Sequence, residues 1–292
     1  MSLEVIPFDG LADLMAKLEA FALSDTDYVF RGHQQDDWRV ETTLARHRSR
    51  PHQGWDSDID EMLDHFIVNA RSIGEVPFDI LDRRSRLEYG RHYGVPTPLI
   101  DFSWSPYVAL FFAFNSLRYK RDEPSGNAAI YVLDVAAFGS AWANRLGGDF
   151  MLEFNAFTRE HGLSFQYGYP ADRLKFFNFP ASWNQRMQRQ LGCFIYDTID
   201  YGARGLKDFE ALADSLEEIP GPEGQPVILR KFLVPHAAAS EVFRRLELMN
   251  INATKLIDHE GLSADVRNAY YYNRKTGYAW DVRLPPPDDT KM

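Results

Sequence analysis

After Ser105-Pro106 the chain reads YVALFFAFNSL, a stretch that is apolar nearly all round. Serine before it can accept the orphan amide hydrogens of a first helical turn, and proline sits comfortably at the first helical position. A helix with no wet face has to be enclosed on several sides, so the rest of the chain must pack around it. With 292 residues of which 45% are hydrophobic, enough material exists to do so, and most of the chain is expected to be ordered.

The elements available for that packing alternate without a regular rhythm. Leu11, Leu14, Met15, Leu18 and Phe21 recur at helical spacing. Tyr28-Val29-Phe30 reads as a short buried strand running into Arg31-Gly32, and Glu61 to Ser72 repeats a helical pattern before a turn at Gly74 and Pro77. β-Branched and aromatic content predicts strands over Asn127 to Asp134, Leu191 to Tyr196 and Val227 to Val234, with a helix from Ala237 to Leu248. Strands and helices in this order favour an α+β fold over a doubly wound sheet. There is no internal repeat or Gly/Ser linker, so one domain is expected, with a disordered end at PPPDDTKM.

Several classes of function are disfavoured. A net charge of −10 offers no global attraction to nucleic acid or anionic lipid. Cys193 is the single cysteine; placed mid-strand among apolar neighbours, it reads as an inert small hydrophobe and fits a reducing compartment, so the cytoplasm is the expected location. No apolar run is long enough for a membrane span, and the acidic start does not read as a signal peptide. Phosphate-loop, dinucleotide-fold, nucleophile-elbow and zinc-protease signatures are all missing, and the eight histidines show no convincing metal spacing. The basic run RHRSRPHQ reads as a solvated loop, with local contact to a polyanion as its alternative.

Three passages concentrate polar groups beside apolar ones. In Tyr28 to His33, Arg31 stands at the end of a buried strand with Gly32 directly after it, where backbone can approach a ligand closely. A guanidinium there can fork onto a phosphate or carboxylate, or else form an internal salt bridge. In RHYGVPTPLIDFSWS, Asp101 and Ser103 project to one side if extended, with His92 and Tyr93 upstream. Asp101 and Ser105 can equally serve as caps for the helix, and His92 as a hydrogen-bonded structural residue. In NQRMQRQLGCF, Gln190 and Gly192 share one face of a strand, the glycine leaving room for a bound ring or marking a bulge.

Together these passages resemble the FRG domain, named for a Phe/Tyr-Arg-Gly motif: Phe30-Arg31-Gly32, then RHYGVPTPLIDFSWSPYVALFFA, then NQRMQRQLGCF. The resemblance runs from about Tyr28 to Asp265, where INATKLIDHEGLSADV looks like its usual end, and it implies an N-terminal helical segment over 1–27, the domain over 28–265 and an extension over 266–292. A further resemblance is to the ADP-ribosyltransferases, in which an arginine, a serine-bearing strand and a glutamate follow in order. It implies a split sheet with packed helices and places those roles on Arg31, Ser103 and Gln190. Gln190 departs from that pattern, since an amide cannot offset a cationic sugar carbon as a carboxylate can, and Asp101 would supply the charge instead. The expectation is therefore a site of Arg31, Asp101, Ser103 and Gln190, with Gly32, His92, Tyr93 and Gly192 lining the ligand. The resemblance implies NAD or a related nucleotide as the ligand, with no metal. The acceptor would be a protein or nucleic acid, and the family's setting implies a toxin-like or anti-phage role in bacteria. The alternatives are a ligand-sensing or protein-interaction module using the same residues, and a structural role in which Arg31 and Asp101 form a dry buried ion pair.

Overall fold

The computed structural model describes residues 3–44, 55–74, 83–115, 117, 126–135, 137, 174–178, 185–197, 228–257 and 261–268. The basic run RHRSRPHQ, Pro77, Asn184 and the PPPDDTKM end lie outside the described residues. The protein is α+β: among the described residues, helices pack on a mixed seven-stranded sheet.

In chain order the strands are β1 (Leu3–Ile6), β2 (Tyr28–His33), β3 (Leu99–Ser103), β4 (Asn127–Asp134), β5 (Leu174–Asn178), β6 (Gly192–Asp197) and β7 (Leu229–Pro235). They lie side by side as β1-β7-β4-β2-β3-β6-β5. Among the described strands, β1 with β7 is parallel and the other pairs are antiparallel. The described helices are α1 (Leu11–Ala22), α2 (Trp55–Ser72), α3 (Arg83–His92), α4 (Pro106–Phe114), α5 (Gln185–Arg189), α6 (Ala239–Leu248), α7 (Ala253–Ile257) and α8 (Leu262–Asn268). None of the described helices is long and apolar enough to cross a membrane.

The enclosed helix forms as its sequence requires. Ser105 caps α4, its hydroxyl accepting from the Val108 amide at 3.3 Å, and Pro106 opens the first turn. Leu110, Phe111, Ala113 and Phe114 are then fully buried. Period-two alternation along β4 sorts the sheet into two apolar faces. Ala128, Ile130 and Val132 join Phe30, α1, α4 and α6 in one core, whereas Ala129, Tyr131 and Leu133 join Val29, Phe102, Cys193 and Ile195 in the other.

Several expectations shift. The N-terminal stretch supplies strand β1 as well as the helix. The polar run before β6 is not strand: Gln185 to Arg189 is a short helix, Gln190 lies in the turn after it, and Leu191 takes φ +46° so that β6 starts only at Gly192. Glutamine, arginine and methionine are good helix formers, and no alternation of apolar with polar residues held them extended. The stretch before His92 is helix α3, which ends where Gly94 takes φ +85° and the Val95 amide bonds back to the Gly90 carbonyl at 2.9 Å.

Candidate functional site

The two neighbours of β2 are joined to it very differently. With β4 it registers over six pairs, from Tyr28↔Asp134 to His33↔Ala129. With β3 it registers at Phe30↔Ser103 alone. Beyond that pair the strands part, and Arg31 fills the gap: its Nη1 donates to the backbone carbonyl of Asp101 at 2.6 Å. A strand carbonyl that the ladder would have served is satisfied by a side chain instead. The opening widens into a cavity of about 860 Å³, within the usual size of a small-molecule site.

Charge in this wall is shared unevenly. Arg91, from the last turn of α3, holds the Asp101 carboxylate with two hydrogen bonds, Nε to Oδ1 at 3.1 Å and Nη2 to Oδ2. Arg31 Nη1 stands 3.9 Å from the same Oδ2. Burial lowers the affinity of Arg91 for its proton, but the charge and hydrogen bonds of Asp101 more than offset this, and its pKa is raised. Two guanidiniums thus face one carboxylate. The Asp101 side chain keeps 41% of its exposure against 14% for Arg31 and 18% for Arg91, so the three border the cavity instead of forming a dry ion pair. That removes the structural alternative in its stated form.

Ser103 and Gln190 tie the far wall together. The Ser103 hydroxyl donates to the Gln190 carbonyl at 2.6 Å and accepts from the Ser105 amide at 2.9 Å. It therefore draws the turn before β6 against β3 and aligns the start of α4. The Gln190 side-chain amide donates to the Leu256 carbonyl at 3.0 Å. Arg31, Asp101, Ser103, Gln190, Gly32 and His92 all line the one cavity.

Two expected residues do not line it. Tyr93 packs with Phe66 and Tyr89, at ring distances of 5.8 and 5.0 Å, in an aromatic cluster between α2 and α3. It still touches His92 edge-on, so the expected pair is divided between cavity and cluster. At Gly192 the space beside the backbone is filled by Met187, whose Sδ lies 2.8 Å from where a Cβ would stand. Gly32 borders the cavity, but its missing side chain is required by α4. A Cβ there would overlap the Ala109 carbonyl oxygen and approach the Ala113 nitrogen to 2.7 Å.

Residues unassigned in the sequence reading complete the wall. Arg91, ten positions before Asp101, is brought to it by the last turn of α3, a placement that its position in the sequence alone does not announce. His33 accepts from the Arg31 Nε–H at 2.8 Å, and its place two residues along the same strand was the available signal. Glu88, buried on α3, also lines the cavity. Behind the site, burial first and then the charge of Asp101 push the Cys193 thiol well up. Among the described residues, no group of three or more His, Cys, Asp or Glu side chains could hold a metal ion.

The family model of the FRG domain matches residues 26–122, which include the first two motif passages and stop short of Gln190. No curated protein and no solved structure matches the chain. The matched stretch, residues 26–122, brings Arg31, Arg91, Asp101 and Ser103 to the cavity, and it is this part of the chain that is similar to the FRG domain.

Proposed function

We propose that the cavity binds NAD or a closely related nucleotide in an ADP-ribosyltransferase-like site. One observation carries the reading: an arginine from β2, a serine from β3 and a glutamine from the turn before β6 converge on a single cavity where the sheet opens. Arg31, with Arg91 beside it, suits a diphosphate because planar guanidiniums bind such oxygens bidentately and keep their charge. In this reading Ser103, bonded to the Gln190 backbone carbonyl, holds the wall that would face the ribose, and His92 would line the nicotinamide side.

The chemistry that follows is cleavage of the bond between nicotinamide and the ribose carbon. Nicotinamide departs with the bonding electrons, and the cationic sugar carbon is attacked by water or by an acceptor side chain or base, which then loses a proton. Asp101 is the carboxylate that offsets the developing charge. A second reading, a ligand sensor without turnover, is favoured by the clamp of Arg91 on Asp101 and by the neutral amide at Gln190, already bonded to Leu256. A toxin-like or anti-phage role in the bacterial cytoplasm, acting on protein or nucleic acid, belongs to the same proposal and rests on family resemblance.

The experiment is incubation of the full chain with NAD, measuring binding by calorimetry, free nicotinamide and label on macromolecules. Arg31→Ala is expected to weaken binding by roughly tenfold or more, the loss of a charge-assisted pair of hydrogen bonds. Asp101→Ala is expected to abolish nicotinamide release. Binding without release in the unaltered protein selects the sensor, and neither binding nor release removes the NAD reading.

A further inference from the structure

We infer that His33 is the positioning residue for Arg31: a neutral ring carrying its proton on Nδ1, it accepts from the Arg31 Nε–H and fixes the guanidinium at the cavity wall. The inference rests on the reading of this cavity as a nucleotide site.

Hydrogen-bond logic at both ring nitrogens leads to the same tautomer. Arginine Nε can only donate, and it lies 2.8 Å from His33 Nε2, which must therefore present a lone pair. A backbone carbonyl can only accept, and that of Trp38 lies 3.2 Å from Nδ1, which must therefore carry the hydrogen. A second proton would set one N–H against another beside a permanent cation. The opposite tautomer would mispair both contacts.

The ring has little freedom to turn away. His33 is 6% exposed, meets Tyr131 edge-on at 5.2 Å and Trp38 at 6.4 Å, and lies on the Arg31 face of β2. The Tyr131 hydroxyl reaches toward the same Trp38 carbonyl at 3.5 Å, and Lys231 from β7 lies over the Tyr131 ring at 5.3 Å. With Nη1 anchored on the Asp101 carbonyl at 2.6 Å, the guanidinium plane is held from two strands before any ligand arrives. Such pre-setting removes much of the ordering cost that a long side chain otherwise imposes on binding.

The test uses the full chain with ¹⁵N-histidine, the His33 signals being identified by their loss in His33→Gln. Long-range proton–nitrogen spectra at pH 7.5 are expected to give a neutral His33 ring protonated at Nδ1; the Nε2–H tautomer or a charged ring overturns the inference. In calorimetry with NAD, His33→Leu is expected to bind about tenfold more weakly. His33→Gln, whose Oε1 can stand in for Nε2, should restore affinity to within about threefold at a similar melting temperature. Equal binding by wild type and His33→Leu also overturns it. Should the unaltered protein bind no NAD, the nucleotide reading falls by itself. The Arg31 Nε–H resonance then decides the role of His33: kept in His33→Gln and lost in His33→Leu supports it, and unchanged in both refutes it.

Discussion

Strand β2 has two edges made from the same six residues, and they do opposite things. Toward β4 it is zipped along its length into a core where Ile130, Tyr131 and Val132 see no solvent. Toward β3 it is registered once and then yields to Arg31, Asp101 and Arg91. The first edge is secured by apolar side chains on both faces and by continuous backbone bonding. The second replaces ladder bonds with side-chain bonds, which leave a gap that charged groups can line. The cavity here comes from a ladder that stops at a single pair, and the closed edge braces the open one.

Three substitutions would break or sharpen this contrast. Gly32→Ala strikes the closed side, because its Cβ meets backbone of α4 that cannot move without shifting the enclosed helix. A loss of about 3 kcal/mol or more is expected, lowering the melting temperature by on the order of 10 °C. Gly192→Ala is the control: it meets the flexible end of Met187, and a much smaller fall is expected. Arg91→Ala strikes the open side. Because Asp101 is substantially exposed, only about 1 kcal/mol of stability is expected to be lost in denaturant titration, and on the nucleotide-site proposal the affinity for NAD falls roughly fivefold. The smallest effect concerns Cys193. Its raised pKa and full burial predict no alkylation by iodoacetamide in the folded protein at pH 8 and complete alkylation after unfolding, read by mass spectrometry.

Much of the closed side was legible beforehand. The cap at Ser105, the enclosed helix and the strand from Asn127 to Asp134 were read from local rules, since capping chemistry and residue preference act over a few neighbours. The open side was legible only as residue types. Arg31, Asp101, Ser103 and Gln190 could be picked out, but not the partner that each would take. Arg91 reaches Asp101 because α3 forms despite an internal glycine, with Leu87 and Tyr89 buried along it. Gln190 escaped its expected strand because Leu191 adopts a left-handed turn that nothing in its own chemistry announces.

The single pair between β2 and β3 also bears on what counts as a unit of folding. The family match at residues 26–122 takes in both of these strands but excludes β1, β4, β5, β6 and β7. A fragment cut at those bounds would hold two strands hinged on Phe30 and Ser103, with β2 stripped of its zipped neighbour. The stretch that matches the family is therefore only the inner lining of a body whose walls come from elsewhere in the polypeptide.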